Sequence, residues 1–144
     1  MSTLRVSLVQ QPLIWHDPVA NRARFGALLA PLAGHTDLVV LPETFTTGFS
    51  MEVELLGEVA GGATVDWLKS QAAALNAAVT GSVITQQDGR YYNRLLLALP
   101  SGEVRHYDKR HLFRMGREHE HFTPGRAAWT LPCRPWPWFP RCLA

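Results

Sequence analysis

Short apolar runs rich in β-branched residues, separated by stretches with helical spacing, constrain this chain more than any other feature. Leu4 to Gln10 sets Leu4, Val6 and Leu8 against Arg5 and Ser7, with Val9 also apolar, and reads as a strand buried on at least one face. Asp37 to Leu41 is a short apolar run of the kind found in parallel strands, and it ends at Pro42-Glu43. Ala78 to Thr85 reads as a third strand.

Two helices fit between these runs. Asp17 can cap the first, Pro18 suits its first turn, and Val19, Ala23, Leu28, Leu29 and Leu32 follow at roughly helical spacing before Gly34. Thr64 is the expected cap of the second, which carries Val65, Leu68, Ala72 and Leu75 on one face. Thr44 to Gly62 shows no period and reads as loop. Gln87-Asp88-Gly89 signals a hairpin, because Asp-Gly accepts the positive φ of a type I′ turn. Tyr91 to Leu99 and Glu103 to Tyr107 complete a meander around Pro100-Ser101-Gly102. The order β-α-β-α-β-β-β predicts an α/β fold with a mixed sheet and no internal repeat.

A chain of 144 residues with 47% hydrophobic and 18% charged residues is long and apolar enough to bury a core. Its formal charge of +2 is spread over scattered Lys and Arg residues, which argues against a nucleic-acid surface. Cys133 and Cys142 are too few for a disulfide framework. No apolar run approaches the ~18 residues of a membrane span, and the N-terminus lacks signal-peptide character, so the expectation is a cytoplasmic protein with no membrane partner. The patterns GxGxxG and GxxxxGK[ST] are absent, which removes any nucleotide-cradle argument. The stretch 132–144, PCRPWPWFPRCLA, stands apart from residues 1–131: four prolines and two tryptophans fit neither helix nor central strand. It is expected to be an irregular tail out of the original reading frame.

Three residues carry candidate chemistry. Glu43 follows LVVLP, at the carboxyl end of an expected strand, where ligand sites form in α/β sheets and partial desolvation suits a general base. Lys109 follows the last expected strand and can offer positive charge to a developing oxyanion. Glu118 lies in Arg117-Glu118-His119-Glu120-His121. With His111, this segment raises a metal reading, and His-x-His on a strand would put both rings on one face. Without a Cys-x-x-Cys, it reads better as polar pocket lining or a solvated surface. Phe45, Phe49 and Phe113 are candidates for pocket walls or for plain core.

Taken in order, LRVSLVQQPLIWHDPVANRARF, LVVLPETFTTGF, YNRLLLALPSGEV, HYDKRHLF and FTPGR resemble the nitrilase, or carbon–nitrogen hydrolase, superfamily over about residues 4 to 126. The segment DKRHLFRMGREHEHF is most similar to that of bacterial omega-amidase-type members. The resemblance implies part of a four-layer α-β-β-α sandwich with helices on one face of the sheet. It also implies a small linear amide, such as 2-oxoglutaramate, as substrate. Glu43 would be the base, Lys109 the charge that stabilises the tetrahedral intermediate, and Glu118 a second glutamate that orients the lysine or substrate. The chemistry implied needs no metal or organic cofactor. A cysteine thiolate attacks the amide carbon, ammonia leaves, and water hydrolyses the thioester.

The sequence departs from the family at the nucleophile. No Cys-Tyr-Asp-like or Cys-Trp-Glu-like segment follows Lys109, and neither Cys133 nor Cys142 has matching neighbours. The expectation is a polypeptide truncated before its nucleophile, with little or no turnover. The alternative is a non-catalytic fragment that forms homo-oligomers or other assemblies through an open sheet face.

Overall fold

Val39, at the centre of the Asp37–Leu41 run, has no exposed surface, and the strands on either side of it assemble as the apolar pattern predicts. The computed structural model describes residues 3–126. The stretch 132–144, with both cysteines, lies outside the described residues.

β1 (Val6–Leu8), β2 (Leu38–Val40) and β4 (Ala78–Gln87) run parallel, with Val6 opposite Leu38 and Leu38 opposite Ala78. β5 (Arg90–Ala98) and β6 (Val104–Asp108) add antiparallel strands, giving the order β1-β2-β4-β5-β6. The hairpin between β4 and β5 turns at Asp88 and Gly89, both at positive φ, as the Asp-Gly pair requires.

α1 (Pro18–Leu29) and α3 (Ala63–Leu75) pack on one face. Phe25, Leu29, Leu68, Ala72 and Leu75 meet Val39, Val79, Val83, Leu96 and Ala98 there. Phe45 joins this core against Phe25 and Trp67, over the bare backbone of Gly81, where a Cβ would come within 2.8 Å of its ring. The α/β class, the mixed sheet and the placing of the two long helices therefore agree with the sequence reading. Asp17 caps α1 by accepting the Ala20 N–H at 2.9 Å, and the helix tightens to a 3₁₀ turn over Ala30–Leu32.

The interval read as loop holds two small elements, α2 (Val53–Leu56) and β3 (Glu58–Val59). β3 pairs with Thr85 and Gln86 at the far end of β4. It also changes how α3 begins. Gly62, not Thr64, is the residue before the helix, and Thr64 instead gives its N–H to Glu58 Oε2 at 3.0 Å. A carboxylate at a helix N-terminus satisfies a free donor and meets the positive end of the dipole, so Glu58 does the capping.

The opposite face carries Ala78, Leu97 and Leu99 beside Leu38, and Ile84 under Val53, Leu56 and Phe122. On β1, Val6 and Leu8 stand 46% and 76% exposed. No helix among the described residues is long and apolar enough to cross a membrane.

Candidate active site

β2 and β3 occupy the two ends of the same edge of β4, and the chain between them fills the gap. Leu41 donates its N–H to the Thr80 carbonyl at 2.8 Å, and Phe45 donates to that of Ser82 at 3.1 Å. Between these anchors Thr44 takes φ 44°, a left-handed conformation that a β-branched residue adopts only at a cost. Ser82 Oγ holds the turn by accepting the Thr44 N–H at 2.8 Å. The Thr44 carbonyl accepts the N–H groups of Thr47 and Gly48. Glu43 sits at this turn with its side chain half exposed, between the buried Leu41 and Thr44.

Lys109 is the first residue after β6, and its N–H reaches the Asn93 carbonyl at 2.9 Å. Its ammonium lies 2.7 Å from Glu43 Oε1 and 3.0 Å from Glu118 Oε2. Partial burial pulls the Lys109 pKa down, but hydrogen bonds to Glu43 and Glu118, with their charges, more than offset this and leave it above the ordinary lysine value. The same ammonium stands 5.3 Å from the centre of the Phe49 ring.

Glu118 opens α4 (Glu118–His121) and has no exposed surface. Arg117, at φ 59°, turns the chain back so that Glu118 exchanges bonds with Phe113. The Phe113 N–H donates to Glu118 Oε2 at 2.6 Å, and the Glu118 N–H to the Phe113 carbonyl at 3.2 Å. A buried carboxylate is tolerable only when its oxygens are satisfied, and here both are.

The three residues named from sequence thus meet at one place. A fourth was missed. Asn93, 2% exposed in the middle of β5, donates through Nδ2 to Glu43 Oε1 at 2.7 Å and to Glu118 Oε1 at 2.9 Å. Its signal was readable: in Tyr91, Asn93, Leu95, Leu97 and Leu99, one amide interrupts an apolar strand face.

Phe49 and Phe113 lie beside the cluster with ring centres 6.3 Å apart, whereas Phe45 belongs wholly to the helix-side core. Glu118 to His121 is a helical turn rather than a strand, so His119 and His121 do not share a face, and both are exposed, as is His111. Among the described residues no three His, Cys, Asp or Glu side chains converge as a metal would require.

Chemically, the site offers a half-exposed carboxylate with one oxygen committed and, among the described residues, no donor on the other. Beside it is an ammonium fixed by two carboxylates. The first can accept a proton, and the second can meet negative charge developing on a bound carbonyl oxygen.

The chain resembles known proteins over most of its length. The chain is 43% identical to the omega-amidase YafV of Escherichia coli over 136 residues, 94% of this chain and 52% of that protein. It is 28% identical to the 2-oxoglutaramate amidase of Bacillus subtilis, over 83% of this chain and 48% of that one. It spans about half the length of the curated relatives it matches. Among solved structures, XC1258 of Xanthomonas campestris, a CN-hydrolase superfamily protein with an arsenic adduct in its active site, superposes with a TM-score of 0.85 at 54% identity. That match covers 88% of this chain and 48% of XC1258. Nit3 of Saccharomyces cerevisiae, a nitrilase-superfamily member, shares the fold at a TM-score of 0.79 and 24% identity, over 89% of this chain and 51% of its own. The family model described as carbon-nitrogen hydrolase matches residues 5–132, and with it the chain belongs to the carbon-nitrogen hydrolase family.

Proposed function

We propose that this chain carries the base and the oxyanion-stabilising charge of an amidase of omega-amidase type, one that hydrolyses a small linear amide such as 2-oxoglutaramate. The observation that supports this reading best is the meeting of Glu43, Lys109 and Glu118 within 3.0 Å contacts although they lie up to 75 positions apart in sequence. In this reading Glu43 takes the proton of a cysteine thiol, and the thiolate attacks the amide carbon. Lys109 faces the oxyanion of the tetrahedral adduct. Ammonia then leaves with the proton that Glu43 took, and water, activated by the same carboxylate, cleaves the thioester. Glu118 holds the ammonium in place from the buried side. A cytoplasmic setting and a small-molecule substrate belong to the same proposal.

The sulfur is left unassigned, because no Cys-Tyr-Asp-like or Cys-Trp-Glu-like segment occurs in the sequence. Ammonia release from 2-oxoglutaramate is the direct assay. The expected result is little or no turnover by the chain alone. Turnover that disappears on Cys142→Ala would assign the nucleophile to Cys142. Turnover that survives both Cys142→Ala and Glu43→Gln would overturn the mechanism.

A second reading is supported by the exposure of Val6 and Leu8 on the face opposite the long helices: a non-catalytic fragment that associates through this surface. Light scattering tests it, and a monodisperse monomer at high concentration would exclude it.

A further inference from the structure

Glu43 holds two partners on one oxygen: Oε1 accepts from Lys109 Nζ and from Asn93 Nδ2, each at 2.7 Å. Among the described residues no donor reaches Oε2. The same Asn93 amide nitrogen donates to Glu118 Oε1, and the Asn93 carbonyl accepts the Lys109 N–H. One strand residue therefore touches all three members of the cluster. It is itself fixed by its register opposite Ile84 and by near-complete burial.

We propose that Asn93 is the positioning residue of this site, tying the two carboxylates together through one amide group so that Glu43 presents Oε2 as its proton-accepting oxygen. The assignment rests on the reading of Glu43 as the base. The physical reason lies in the contrast between the carboxylates. Glu118 is fully buried and anchored by the Phe113 N–H, so it stays in place without help. Glu43 is half exposed on a side chain with three free torsions, and an ion pair half in water is held weakly. Asn93 supplies the second point of attachment. Two donors on one oxygen orient a carboxylate, whereas one alone lets it swing.

The chain has two lysines, Lys69 and Lys109, so amine labelling reports on the site with an internal control. Lys69 is exposed on α3, with Asp66 4.0 Å away. The ratio of Lys109 to Lys69 acylation, read by mass spectrometry at pH 8 to 9, follows how well Lys109 is held as an ammonium. In the native chain Lys109 should react more slowly than Lys69. Asn93→Leu keeps the volume and removes the donor. Removing a donor that competes for Oε1 would strengthen the Lys109–Glu43 pair, but releasing a half-exposed side chain weakens it, and the second effect is expected to win.

The ratio should then rise about three- to tenfold. Placed in a Glu43→Gln chain, Asn93→Leu should change it by less than about twofold, because the two residues act on Lys109 together. A folded Asn93→Leu chain with an unchanged ratio would overturn the proposal, as would equal effects with and without Glu43. Where leucine perturbs the fold, Asn93→Ser, which keeps one hydroxyl donor, should give an intermediate rise, and no rise at all overturns the proposal equally. The amidase reading is tested separately, since ammonia release that survives both Cys142→Ala and Glu43→Gln overturns it whatever the labelling ratio.

Discussion

Asn93 and Arg94 are neighbours on β5 that serve two charged clusters on opposite faces of the sheet, and the two clusters are built differently. On the helix side, Arg94 meets Asp108 in a two-pronged pair, Nε to Oδ1 at 2.6 Å and Nη2 to Oδ2 at 2.9 Å, and gives Nη1 to Gln87 at 2.7 Å. Both side chains of the pair are largely buried, and both carboxylate oxygens are taken. On the other side, Asn93, Lys109 and Glu118 are equally well paired, but Glu43, half exposed, has no donor on Oε2 among the described residues. The helix-side cluster satisfies its own charges and holds β5 to β6. The other leaves one atom uncommitted among the described residues, and that atom is where chemistry can enter.

The comparison breaks most visibly at Glu118. Glu118→Ala strands the Phe113 N–H and removes the buried partner of Lys109, and should lower unfolding stability by about 3 kcal/mol in urea titrations. A loss below about 1 kcal/mol would mean that water replaces this carboxylate freely. Arg94→Met keeps the apolar stem and leaves Asp108 unpaired, with an expected loss of about 2 kcal/mol. It should leave the Lys109 to Lys69 labelling ratio unchanged. A shift there would show that the two faces are coupled through β5.

The smallest effect concerns alkaline pH. The pKa of Lys109 stands above its reference of 10.5 in the folded chain, so its protonated form favours folding. That contribution is complete below the unfolded value and is lost as pH rises through the folded one. Between pH 9 and 12 the native chain should lose slightly more stability than Lys109→Met does, and parallel curves would refute the assignment.

Much of this was legible in the sequence because strand ends are. The β-branched run before Pro42 and the meander before Lys109 placed both residues at the carboxyl ends of strands, where an α/β sheet collects its ligands. Glu118 stood out in its segment only as pocket lining, and its role as a second glutamate came from the family resemblance alone, because a single helical turn closed by a left-handed Arg117 has no period to detect. The same holds for Val53–Leu56 and Glu58–Val59, four and two residues long. Thr64 was expected to cap its own helix because a threonine stood in the right place. The rival acceptor, Glu58, arrives through a strand pairing that local propensity cannot see. Asn93 was overlooked because a single amide within an apolar strand looks like an interruption rather than a hub.

The turn at Thr44 has a consequence for how this site could be altered. Its hydroxyl is buried without a hydrogen-bond partner, and its backbone sits where valine, isoleucine and threonine least belong. Like a cocked latch, it aims Glu43 only while Ser82 and the β4 edge hold it shut. A glycine there would rest more easily in the same turn and would let the carboxylate wander. Sturdiness and aim pull against each other at this one position, and anyone engineering the protein for heat tolerance would meet that conflict first at residue 44.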